Sequence, residues 1–146
     1  MLSITGYAAM FLFLPVHFLT HREYPMTTTP PISGVGPAEL DYEFVKTGLK
    51  NWPIRSCLLY GGLILSTTLH IADGLQVIWN RRLKGFFGLR AWKVPGRLAR
   101  SILTLGAFAL PPVLGLIVLS KEPLMTFTSM VERYRAVYHC SYVYRF

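Results

Sequence analysis

Residues 54–79, IRSCLLYGGLILSTTLHIADGLQVIW, decide how this chain folds. The stretch carries one charge at its mouth, Arg55, and only His70 and Asp73 as ionisable groups inside. As a helix rising 1.5 Å per residue it exceeds the ~30 Å hydrocarbon thickness of a bilayer, so it reads as a transmembrane span. Gly61, Gly62, Ser66, Thr67 and Gly74 keep part of its surface low. In lipid, close packing of such small residues replaces the hydrophobic effect as the force that pairs helices, so one face is built to touch another helix.

Two further spans flank it. Residues 2–19, LSITGYAAMFLFLPVHFL, are uncharged and about 27 Å long as a helix, with a kink expected at Pro15. This span starts abruptly, without a polar flank, so the chain is expected to be a fragment or the later part of a larger architecture. Residues 101–120 are also uncharged, and Pro111 and Pro112 are expected to bend the span sharply unless neighbouring helices resupply the lost backbone bonds. The fold class is therefore all-α: an integral membrane helical bundle of three transmembrane helices. The 52% apolar content agrees, since three such spans would occupy roughly 40% of a 146-residue chain.

The connections set the orientation. After span one, the sequence passes through His21, Arg22, Glu23 and Tyr24 and is then broken by Pro25, Pro30 and Pro31. A short interfacial helix is predicted from Pro37 to Trp52. Glu39, Asp41 and Glu43 lie in its first turns, Lys46 and Lys50 lie near its end, and Leu40, Phe44 and Val45 form an apolar stripe. This connection holds four basic residues and four acidic ones. Between spans two and three, Asn80 to Arg100 holds Arg81, Arg82, Lys84, Arg90, Lys93, Arg97 and Arg100, interleaved with Phe86, Phe87, Leu89 and Trp92, and no acidic residue. These seven cations form a candidate surface for anionic lipid, and the positive-inside rule places them in the cytosol. Residues 121–146, with Tyr134, Tyr138 and Tyr142 at i, i+4 spacing, read as an interfacial or poorly ordered tail.

Composition excludes several classes. The net charge of +8 would suit nucleic acid, but seven of fifteen basic residues sit between two apolar spans, so membrane lipid is the expected partner and nucleic acid is not. Cys57 and Cys140 lie in no metal-ligand or disulfide spacing. No nucleophile elbow, phosphate loop or His-Glu-x-x-His motif is present, and the chain is read as non-enzymatic. Neither a secretory signal nor an Arg-rich transit peptide is evident, so targeting is expected to be internal or written in sequence outside this chain.

The ionisable residues within the spans are the functional candidates by default, with helix-to-helix hydrogen bonding as their structural alternative. His17 lies about 4 Å from the end of span one, whereas His70 lies about 24 Å in from the same side, so the two are not expected to ligate one iron. In HIADG, the i, i+3 spacing sets His70 and Asp73 on one helix face. Asp73 is expected to be protonated, paired with His70, or near enough to the interface to stay wet, with Arg81 and Arg82 in reach. His17, His70, Asp73 and Gly74 thus make up the intramembrane polar and packing set.

Several stretches taken together resemble a known family: FLPVHFLTHREYP, ISGVGPAELDYEFVKTGL and YGGLILSTTLHIADGLQVIWN, followed by the basic stretch. Over about residues 3 to 120 the chain resembles the later half of the transmembrane domain of the fungal mitochondrial adaptor (Mcp-type) proteins. That resemblance implies a mitochondrial outer-membrane protein in lipid homeostasis and organelle contact, with a bridge-like lipid-transfer protein as partner. In the family the recruiting Pro-x-Pro element lies ahead of the first span, so this chain by itself is expected to lack it. The family is in turn distantly similar to the membrane anchors of succinate dehydrogenase, which hold haem b and a quinone. By that similarity His70, followed by Gly74, would be a haem b ligand, and the alternative function is a haem- or quinone-binding cytochrome b-like anchor subunit. Homo- and hetero-oligomers are both left open.

Overall fold

The computed structural model describes residues 2–86 and 96–145, and every regular element among them is helical. In chain order the main elements are α1 (Ser3–Met26), α2 (Tyr42–Asn51), α3 (Pro53–Leu83), α4 (Leu98–Lys121) and α5 (Thr128–Cys140). Helices α1, α3 and α4 are long and apolar enough to cross a membrane, which gives the three-span helical architecture expected from the sequence.

All three spans run farther than their apolar cores. Helix α1 continues through His21, Arg22 and Glu23 to Met26, and α3 continues past Trp79 to Leu83. The prolines explain how α1 and α4 stay continuous. Just upstream of Pro15, Pro25 and Pro111, the helix widens into a π turn, at Ala8–Phe13, Leu19–Glu23 and Leu105–Ala109. In each, the residue before the proline donates its N–H five residues back: Leu14 to Ala9, Tyr24 to Leu19 and Leu110 to Leu105. A proline lacks a donor and crowds the carbonyl four residues back, and one extra residue in the turn relieves that clash. At Pro111 and Pro112 this local widening lets the helix run on unbroken from Leu98 to Lys121.

The short interfacial helix begins later than expected. Pro37–Glu39 forms a separate 3-10 turn, and Asp41 then caps α2, its Oδ1 accepting the Glu43 N–H at 2.8 Å. Asp41 satisfies one of the donors that a helix start leaves open, which outweighs the signal from Pro37 at a first helical position. Upstream, the loop folds back on itself: the Gly34 N–H bonds Thr27 O and the Gly36 N–H bonds Pro25 O. The φ values of +62° at Gly34 and +76° at Gly36 are ones that glycine reaches without penalty.

Packing is uneven along the bundle. Helix α3 is central, with α1 against one side and α4 against another. Only 11% of the apolar window of α1, 11% of α3 and 6% of α4 is buried. The hydrophobic core instead lies at one end, where α1 and α4 finish and α3 begins. It comprises Ile32, Val35 and Phe44 together with Tyr134, Val137, Tyr138 and Tyr144. Residues 121–145 are therefore more than a tail: α5 packs on α2 and supplies Tyr134, Val137 and Tyr138, three of the seven core residues, and Tyr144 follows just beyond it. Phe44 stacks on Tyr138 at 4.5 Å and meets Tyr134 edge-on at 5.3 Å, contacts worth about 0.5–1.5 kcal/mol each beyond their burial. Helix α5 ends at Cys140, so Tyr142 leaves the expected i, i+4 row and is exposed, and Tyr144 turns inward in its place.

Candidate functional site

A chain of hydrogen bonds fastens the packed end, which we call the cap. The His17 and His21 rings lie 4.2 Å apart on α1. His21 Nε2 is 3.1 Å from the Tyr60 hydroxyl on α3, which is 2.9 Å from the Tyr138 hydroxyl on α5. Tyr138 donates to Phe44 O on α2 at 3.2 Å. One proton arrangement satisfies the whole chain: His21 donates to Tyr60, Tyr60 to Tyr138 and Tyr138 to Phe44 O. Burial, then proximity to Tyr60, pushes the Tyr138 phenol well above its ordinary range. Burial and the nearby Asp41 carboxylate push Tyr134 up to about 12. These phenols are permanent donors, which suits fastening four helices together. Sequence reading singled out His17, noted His21 only as part of a connection and Tyr138 only as part of a tyrosine row, and missed Tyr60. The i, i+4 spacing of His17 and His21 was the available signal for part of this cluster.

The HIADG segment parts its two polar groups. His70 turns toward α1, where a Cβ added to Gly6 would lie 2.7 Å from its Cε1, and it is exposed beside a groove of about 180 Å³. Asp73 turns toward α4 and accepts from Arg100 Nη2 at 2.9 Å, with the two side chains 19% and 15% exposed. Gly74 is half-buried on α3. Because His70 meets Gly6, it sits eleven residues from His17 along α1, about 16 Å at helical rise. The two histidines of one chain therefore do not fit as opposite axial ligands of one haem iron. Among the described residues, no group of three His, Cys, Asp or Glu side chains could hold a metal ion.

The basic end is built by the last turns of α3 and the first of α4. Arg81 and Arg82 are exposed there, and Arg100 is committed to Asp73 through one of its nitrogens. Lys84 and Arg97 lie in helical backbone at the same end, and Arg90 and Lys93 lie outside the described residues. Between α3 and α4 at this end is a mostly apolar cleft of about 470 Å³, lined in part by Ala72, Gln76, Trp79, Leu83 and Arg100.

These features define a class: a polytopic α-helical membrane protein with one end closed by an aromatic core and the other basic. Compared with family models, curated proteins and solved structures, the chain matches none.

Proposed function

We propose that this protein is a non-enzymatic membrane adaptor of the mitochondrial outer membrane, acting in lipid homeostasis and organelle contact. The observation that supports the reading is the difference between the two ends. The cap is fastened by four helices and buried phenols. The opposite end offers Arg81 and Arg82 to the leaflet and opens a cleft between two spans. A basic end of this kind is attracted to anionic lipid by about 1 kcal/mol per Lys or Arg near the surface. A bridge-like lipid-transfer protein is the partner that the family resemblance suggests. The cytochrome b-like alternative keeps one supporting observation, the exposure of His70 beside its groove, and would need the second ligand from another chain.

The test is fractionation of a fungal host expressing the tagged chain, together with phospholipid profiling after deletion of its gene. The expected outcome is a carbonate-resistant protein in the mitochondrial outer membrane and an altered phospholipid composition in the deletion strain. Residence in another membrane, or an unchanged composition, overturns the reading.

A further inference from the structure

The cleft between α3 and α4 is shaped for a ligand of particular chemistry. Ile71, Leu75 and Trp79 line it from α3, and Thr104 and Phe108 line it from α4. Ile71, Leu75 and Phe108 are exposed on helices that span the bilayer, so the cleft opens sideways into lipid. Its volume, about 470 Å³, falls within the ~300–1,000 Å³ range of small-molecule sites. A whole helix, about 10 Å across, does not fit between two helices already in contact. A flexible apolar chain does fit.

The polar groups at the same end say what that chain is attached to. Arg100 gives Nη2 to Asp73, but its Nε is buried and has no hydrogen-bond partner among the described residues. A guanidinium N–H without an acceptor at membrane depth is costly, and an oxygen brought in by a ligand would relieve it. Arg81 and Arg82 stand exposed on α3 just beyond Trp79, so the end of the bundle at which the cleft lies carries these two guanidinium groups and that of Arg100 against the single carboxylate of Asp73.

We propose that the cleft binds one anionic phospholipid of the surrounding leaflet. An acyl chain lies along Ile71, Leu75 and Phe108, the phosphate faces Arg81 and Arg82, and an ester or phosphate oxygen accepts from Arg100 Nε. The proposal deepens the lipid reading above and rests on it only for the class of ligand. It is tested on the purified chain, so failure of the organelle assignment leaves it intact.

The experiment places the full chain in nanodiscs of phosphatidylcholine containing a minor fraction of phosphatidylglycerol and counts retained lipid by native mass spectrometry. The expected result is one phosphatidylglycerol held per chain. Thr104→Phe, which fills the cleft, lowers that retention by about tenfold or more, since each buried CH₂ of an acyl chain contributes to binding. Arg81→Gln with Arg82→Gln leaves the cleft intact and reduces the preference for phosphatidylglycerol over phosphatidylcholine by about thirtyfold, the worth of two basic residues near an anionic surface. Helical circular dichroism and the thermal midpoint of each variant show that it is folded. Should Thr104→Phe fail to fold, the double arginine variant, altered only at exposed positions, still decides. Equal retention of the two lipids by the wild-type chain, or unchanged phosphatidylglycerol retention in both variants, overturns the proposal.

Discussion

Gly48 shows how far a single atom governs the cap. A Cβ at this position would stand 2.5 Å from the Tyr138 hydroxyl oxygen, where α2 crosses α5. Tyr138 cannot retreat at low cost, because its ring is fully buried against Phe44 and Tyr144 and its hydroxyl is tied to Tyr60 and Phe44 O. Gly48→Ala should therefore cost about 2–3 kcal/mol, combining overpacking with the loss of at least one buried hydrogen bond. Gly61 is the control: it sits in α3 with nothing within 4 Å of an added Cβ. Thermal unfolding in detergent should show a clear fall in midpoint for Gly48→Ala and none for Gly61→Ala. Equal midpoints for the two variants would refute the close approach at Gly48.

Helices α3 and α4 are joined near their basic ends by the Asp73–Arg100 pair, whose side chains are largely but not wholly buried. Removing one partner strands the other charge at membrane depth. We expect about 2–3 kcal/mol for Asp73→Ala or Arg100→Ala alone, somewhat less than for a fully enclosed pair because residual solvent screens it. The double variant should cost less than the sum of the two, which a double-mutant cycle on thermal or chemical unfolding measures. Strict additivity would mean that the pair does not hold the two helices together. This contact marks what the sequence could and could not disclose. The spans were legible from apolar length alone, and Asp73 declared itself by being a carboxylate inside one of them. Its partner was harder to read, since Arg81 and Arg82 were nearer in sequence and only a comparison of depths points to Arg100, the third residue of α4. The role of α5 was less legible still. Tyr134 and Tyr138 announced a face, but Phe44, the group they pack on, lies some ninety residues earlier in the chain, and no local periodicity encodes that meeting.

For the molecule as a whole, the structure sharpens the charge argument for orientation. Because α5 folds onto α2, residues 121–145 lie on the same side of the spans as residues 27–52. That cap side, with the span ends next to it, carries eight basic residues and the basic end seven, so a count of Lys and Arg alone no longer orients the chain. What distinguishes the ends is the opposing charge. The cap side also carries six carboxylates, and Lys46 there is held by Glu43 and Glu122. The basic end has no carboxylate beyond Asp73, which Arg100 neutralises. An anionic cytosolic leaflet acts on net charge within a Debye length of its surface, about 8 Å at physiological salt, so it attracts the basic end more strongly. We therefore expect the end of α3 to face the cytosol and the cap to face away. With Cys57 and Cys140 replaced by serine, single cysteines are introduced as Arg81→Cys or Ser129→Cys, at two exposed positions on opposite ends. In intact organelles a bulky, membrane-impermeant PEG-maleimide should shift Arg81→Cys on a gel and leave Ser129→Cys unmodified until the membrane is permeabilised. The reverse labelling pattern would place the aromatic cap in the cytosol and leave the anionic leaflet facing the wrong end of the proposed lipid cleft.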